Sequence, residues 1–184
     1  STFGASGLSV LTDEKFFGGT KEDLLKARVN NIPILRKDFM IDAYQFYEAK
    51  AIGADIILLI AACLTQQQVK EFTALSKELG LEVLLEIHNE EELEHICDDV
   101  DFVGVNNRNL KTFEVDINTS LQLYPQIPKD KLAIAESGIS NTDAIVTLKQ
   151  AGFSGFLIGE NFMKENDPAE AYKNFVSSMQ AFQK

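Results

Sequence analysis

Lys37, Glu86, Asn106, Arg108, Glu136 and Ser137 could move protons and hold a polar substrate. Each stands at or just past the end of a short apolar run: IPIL ahead of Arg36-Lys37, EVLL ahead of Glu86, FVGV ahead of Asn106, and LAIA ahead of Glu136-Ser137. An ammonium, two carboxylates and an amide gathered in one place suit general acid–base catalysis on a small polar molecule. Gly138 follows Ser137, and Gly159-Glu160 follows GFLI. Backbone amides of a glycine loop at the start of a helix form an anion cradle. Each residue also has a plainer structural role open to it. Lys37 can be a solvated strand end, Glu86 can pair with a neighbouring base, Arg108 can be a loop charge, and the glycines can be turns. Glu90-Glu91-Glu92 is most simply a solvated helix start favoured by the helix dipole. His88 and His95 are expected at the surface.

The elements that must position these residues repeat along the chain. Strand-type runs lie at 7–11, 32–36, 55–61, 82–87, 102–106, 132–136 and 155–159, several of them apolar almost throughout, as in DIILLIAA. Parallel strands covered on both faces have this composition. Helical segments fall between them. Thr20-Lys-Glu-Asp23 opens the first, 44–52 and 66–79 stop at Gly53 and Gly80, 90–97 is short, one includes 120–123, 141–151 stops at Gly152, and 168–182 closes the chain. The strand-to-strand period of roughly 20–30 residues is that of a βα unit. This predicts one domain over residues 1–184, either a (βα) barrel or an open doubly wound sheet. In a barrel the polar residues above share the C-terminal rim, where active sites sit. The third strand ends in Ala61-Ala62-Cys63-Leu64, an apolar wall, and Phe16-Phe17-Gly18-Gly19 could pack a loop or cover an aromatic group. The strands number seven, and Phe3–Gly7 resembles a helix tail with no unit ahead of it.

The net charge of −11 argues against a nucleic-acid partner, which needs clustered Lys and Arg, while leaving room for a small anion at a local site. No apolar run approaches ~18 residues, so no membrane span is expected. The N-terminus lacks the pattern of a signal peptide. Cys63 and Cys97 stand apart from each other and from metal-type spacing, which suits core thiols in a reducing cytoplasm.

The segments SVLTDEKFFGGT, IPILRKDFMID, GADIILLIAACL, GLEVLLEIHNEEEL, VGVNNRNLKTFEVD, AESGIS and GFLIGENFM follow in an order and at intervals that resemble the indole-3-glycerol-phosphate synthase family across essentially the whole chain. The resemblance implies a (βα)8 TIM barrel, no metal and no organic cofactor. It implies ring closure, decarboxylation and dehydration of 1-(2-carboxyphenylamino)-1-deoxyribulose 5-phosphate. By the same resemblance Lys37 is a general acid and Glu86 acts in the dehydration. Asn106 and Ser137 hold hydroxyls or the catalytic groups, and Glu136 and Arg108 are further site residues. Phe17 touches the anthranilate ring, with Leu58, Ile60 and Leu110 lining its pocket. Gly138, Gly159 and the backbone N–H of Glu160 bind phosphate.

The family's first-strand motif, E-x-K-x-x-S-P-S, does not occur in these 184 residues. The chain is therefore expected to supply strands 2–8 of the barrel, to be inactive by itself, and to self-associate through open edges at 7–11 and 155–159. The alternatives are a catalytically incompetent phosphate-binding fragment, or another phosphate-binding barrel such as phosphoribosylanthranilate isomerase or the tryptophan synthase α-subunit.

Overall fold

The structure, a computed structural model, describes residues 2–181. Seven strands follow one another in chain order: β1 (Leu8–Leu11), β2 (Ile34–Lys37), β3 (Ile56–Ile60), β4 (Glu82–Ile87), β5 (Phe102–Asn106), β6 (Leu132–Glu136) and β7 (Gly155–Leu157). The helices between them are α1 (Lys21–Ala27), α2 (Tyr44–Ala51), α3 (Gln66–Glu78), α4 (Asn118–Leu123), α5 (Thr142–Ala151), α6 (Glu160–Met163) and α7 (Pro168–Ala181). The repeating βα order is as expected. The final helix was expected to reach Phe182, which lies outside the described residues. The chain divides into two compact units at Val103/Gly104.

In the first unit β1 to β4 are parallel, with Leu11 beside Lys37, Arg36 beside Ile57, and Leu58 and Ile60 beside Leu84 and Glu86. Register partners point to the same side of a sheet, and neighbours along a strand to opposite sides. Lys37, Leu58, Ile60, Leu84 and Glu86 therefore share one face. Arg36, Ile57, Leu59, Val83, Leu85 and Ile87 share the other, which the helices cover. Ile57, Leu59, Val83, Leu85 and Ile87 are fully buried, as are Phe46 of α2 and Val69 of α3. Each such side chain contributes about 1.5–3 kcal/mol of transfer free energy. Phe46 and Phe72 meet at 4.9 Å between ring centroids.

The one charge in this wall is Arg36, 2% exposed. Its guanidinium donates to Asp38 Oδ2, to Glu48 Oε2 on α2 and to the Gln45 carbonyl. Thr12 Oγ1 donates to Asp38 as well, and Lys21 pairs with Glu48. A buried guanidinium is tolerable only when its donors are matched in this way.

Several boundaries differ from expectation, each for a local reason. β2 begins at Ile34, not Ile32, because Pro33 has no N–H to donate and Arg28 takes the Ile32 carbonyl. β3 ends at Ile60, where Ala61–Cys63 forms a 3-10 turn. The segment expected as a helix over 90–97 is a 3-10 turn, Glu91–His95. Thr2-Phe3 is a turn rather than a helix tail. Cys63 is exposed and Cys97 half-buried, so neither thiol is core filler.

In the second unit β6 and β7 are parallel, with Glu136 beside Leu157. Gly152 ends α5 at φ 117°, and a Cβ there would overlap the Tyr124 ring, so conformation and space both require glycine. β7 stops at Leu157 instead of Gly159. The Gly159 carbonyl instead accepts from the Phe162 and Met163 N–H groups, opening the short helix α6, which periodicity did not reveal. Phe162 packs edge-on against Tyr172 and Phe175 of α7.

Candidate active site

The first unit carries a line of alternating charges at the end of β2 and β4. Lys37 Nζ lies 3.1 Å from Glu86 Oε2. The other oxygen of Glu86, Oε1, lies 3.1 Å from His88 Nε2, an ion-pair contact rather than a well-aligned hydrogen bond. His88 Nδ1 in turn lies 3.1 Å from Glu92 Oε2, which also accepts the His88 backbone N–H at 2.8 Å. Asn89 Nδ2 donates to the second Glu92 oxygen. Glu86 and His88 side chains are 4% and 9% exposed, while Lys37 is 21% exposed and reaches solvent.

His88 is therefore not the surface histidine expected. Burial by itself would lower the imidazole pKa. The close Glu86 carboxylate and the hydrogen-bonded Glu92, with their charges, outweigh burial and raise it to about 9. The ring is an imidazolium at neutral pH. The Glu92 carboxyl is held below its usual range, because the imidazolium and the donated hydrogen bonds outweigh its burial.

Phe17 stands with its ring centroid 5.9 Å from Lys37 Nζ and stacks on Phe39 at 4.8 Å. Phe39, which the sequence did not single out, thus backs the Phe17 ring. Leu58 and Ile60 lie on the Lys37–Glu86 face, but at 0% and 5% exposure they form its floor rather than an open lining.

In the second unit Asn106 Oδ1 accepts the Arg108 N–H at 3.0 Å, and Arg108 Nη2 pairs with Glu160 Oε2 at 2.6 Å. The Glu160 side chain thus has a partner that its expected role, given to its N–H alone, did not include. Glu136 is 3% exposed at the end of β6. Ser137 follows it at φ 64°, a left-handed conformation that costs a non-glycine residue about 1–2 kcal/mol. Such strain clusters at functional sites.

Gly138 at φ 71° lies against Val115, whose Cγ1 a Cβ would overlap. Gly159 has open space instead, so nothing in its packing demands glycine. Leu110, expected in an apolar pocket, is 47% exposed on the loop after β5. Asn107, 2% exposed, is structural. It accepts from the Ser120 N–H and hydroxyl and donates to the Ser137 carbonyl, tying the ends of β5 and β6 to α4.

Among the described residues no group of three or more His, Cys, Asp or Glu is placed to hold a metal ion, and no helix is long and apolar enough to cross a membrane.

The family model for indole-3-glycerol phosphate synthase matches residues 1–175. The chain belongs to the indole-3-glycerol phosphate synthase family. Curated members from Bacteroides thetaiotaomicron and Variovorax paradoxus are 53% and 48% identical to it. The matches cover 96% and 91% of this chain, and 68% and 64% of those proteins, so the chain spans about two thirds of the length of its synthase relatives.

Solved structures show the same fold at low identity. A 3-hexulose-6-phosphate synthase from Salmonella typhimurium aligns with a TM-score of 0.75 at 12% identity, over 94% of this chain and 86% of that one. A tryptophan synthase A-subunit from Pyrococcus furiosus aligns with a TM-score of 0.67 at 22% identity, over 88% of this chain and 72% of that one. The fold is a TIM barrel, of which these residues provide seven strands.

Proposed function

We propose that this chain provides strands 2–8 of an indole-3-glycerol-phosphate synthase barrel in a bacterial cytoplasm. The substrate is 1-(2-carboxyphenylamino)-1-deoxyribulose 5-phosphate. The observation that carries this reading is the Lys37–Glu86 contact: a partly exposed lysine whose ammonium is held 3.1 Å from a buried carboxylate.

Ring closure needs a proton at the substrate ketone oxygen. The aromatic carbon that bears the carboxylate attacks the carbonyl carbon, and the oxygen takes a proton from the Lys37 ammonium. Carbon dioxide then leaves, returning its bonding pair to the ring. Loss of the new hydroxyl as water completes the indole, with Glu86 moving the proton of that step. Phe17 would face the anthranilate ring. Asn106, Ser137, Glu136 and Arg108 would hold hydroxyls or the groups that do, and the backbone N–H groups of Gly138, Gly159 and Glu160 would hold the phosphate.

The supporting experiment joins a first βα unit carrying E-x-K-x-x-S-P-S to this chain and follows product fluorescence. Turnover that Glu86→Gln lowers by about 10²–10⁴-fold supports the assignment. Unchanged turnover in Glu86→Gln, or no turnover in the joined parent chain, would overturn it.

A further inference from the structure

Among the described residues Glu86 has a cationic neighbour on each carboxylate oxygen, Lys37 and His88, and of these Lys37 alone has a place in the reaction above. The second, His88, stands two residues further along the same chain segment. That spacing returns a side chain to the face that Glu86 occupies. His88 is fastened from behind. Glu92 Oε2 takes both its ring Nδ1 at 3.1 Å and its backbone N–H at 2.8 Å, and Asn89 fixes the other Glu92 oxygen. The Glu92 N–H donates to Asn89 Oδ1 at 3.1 Å, so the loop holding the pair is closed on itself. A solvated surface histidine needs no such clamp, and a core histidine does not need a carboxylate on each nitrogen.

We propose that His88 and Glu92 are positioning residues for Glu86: Glu92 locks the imidazole, and the imidazole holds Glu86 Oε1 so that Oε2 stays directed at Lys37. The proposal rests on the functional reading above. Its consequence is that Glu86 keeps a single rotamer although nearly buried. Without the imidazolium, the carboxylate could turn both oxygens toward Lys37 and pull that proton donor off the substrate. A misplacement of this size costs about 10- to 100-fold in rate.

Glu86 on β4 and Glu92 on the following turn face the His88 nitrogens, with Lys37 beyond Glu86, Asn89 on the far oxygen of Glu92, and Cys63 within reach of both carboxylate charges. Burial, then the Glu86 and Glu92 charges, push the Cys63 thiol up. Among the described residues, the Glu86 and Glu92 carboxylates lie 3.1 Å from the two nitrogens of the imidazole.

The test has two parts. Nitrogen-15 spectra of the His88 ring in the 184-residue chain should show both nitrogens protonated at neutral pH, and Glu92→Gln should lower the pH at which that proton is lost. A neutral His88 ring at neutral pH overturns the pair, whatever the turnover. In the chain joined to a first βα unit, His88→Ala should lower kcat about 10- to 100-fold with KM nearly unchanged. His88→Gln, whose amide can still donate toward Glu86, should recover much of that loss, and Glu92→Gln should reproduce part of it.

Circular dichroism identifies a variant that has merely unfolded, and the Glu92→Gln arm then decides. Equal kcat in His88→Ala and the parent overturns the positioning role. Absence of turnover in the parent defeats the functional reading instead, and the ring spectrum still decides whether the clamp exists.

Discussion

Asp38→Ala should be among the most destabilising single changes at the rim, and the structure sets its size. Asp38 is 5% exposed. Its Oδ2 accepts from Thr12 Oγ1 at 2.7 Å and from Arg36 Nε and Nη2 at 3.1 and 2.8 Å, and its Oδ1 accepts the Phe39 N–H at 2.8 Å. Truncation leaves the Arg36 guanidinium, 2% exposed in the parent, with one carboxylate, Glu48, at 2.8 Å, one carbonyl, Gln45, at 3.0 Å, and the Thr12 hydroxyl at 3.1 Å. Removing one partner of a buried ion pair costs about 3–5 kcal/mol, and the surviving Glu48 contact sets the expectation at the lower end, about 3 kcal/mol. For a chain of this size that is a fall in Tm of about 6–12 °C. Replacing both groups, as in Arg36→Met with Asp38→Leu, removes the unmatched charge, so the double variant should be more stable than Asp38→Ala alone. Urea and thermal unfolding followed by circular dichroism measure both. An Asp38→Ala chain within about 1 kcal/mol of the parent, or a double variant less stable than the single one, would refute the role given to this network.

Stability should also depend on His88. Its pKa is raised from 6.5 to about 9 on folding, so the stabilisation is complete below pH 6.5 and is lost as pH rises through 9. Allowing for solvent screening, the loss is on the order of 2 kcal/mol, visible as a falling urea midpoint that His88→Gln should flatten. Gly138→Ala should destabilise by about 2 kcal/mol or more, because the left-handed backbone and the overlap with Val115 both oppose a Cβ. A Tm unchanged by that substitution would contradict the packing described. The β1 edge carries exposed Ser9 and Leu11 on the Lys37 side, and among the described pairings β1 is bonded to β2 alone. Sedimentation velocity of the 184-residue chain should therefore show concentration-dependent self-association, and a monomer at every concentration would count against it.

The strands were legible because their faces are nearly all apolar, and the helix stops because Gly53, Gly80 and Gly152 punctuate them. Lys37 and Glu86 were legible as strand-end charges, and their contact follows from register, since Glu86 lies beside Ile60 while Lys37 and Leu58 share the same face. Arg36 was not legible as a buried ion, because two of its partners, Glu48 and Gln45, come from the next helix and no local pattern marks them. His88 was misjudged because a strand-exit histidine looks exposed. The available signals were its two-residue spacing from Glu86 and the Glu92 four residues on. Helix α6 is a single turn, too short for periodicity to report. Glu160 as a partner of Arg108 joins residues 52 apart in sequence, a contact that only the fold can supply.

The most direct test of the central claim is the fate of the substrate's carboxylate and ketone when Lys37 is removed. With a first βα unit joined to the chain, single-turnover mixing with 1-(2-carboxyphenylamino)-1-deoxyribulose 5-phosphate should release carbon dioxide and form indole-3-glycerol phosphate. In Lys37→Ala both should fall by about 10²-fold or more, with circular dichroism and Tm close to the parent. Carbon dioxide release and indole formation at the parent rate in a folded Lys37→Ala chain would contradict the claim that the Lys37–Glu86 pair carries the chemistry.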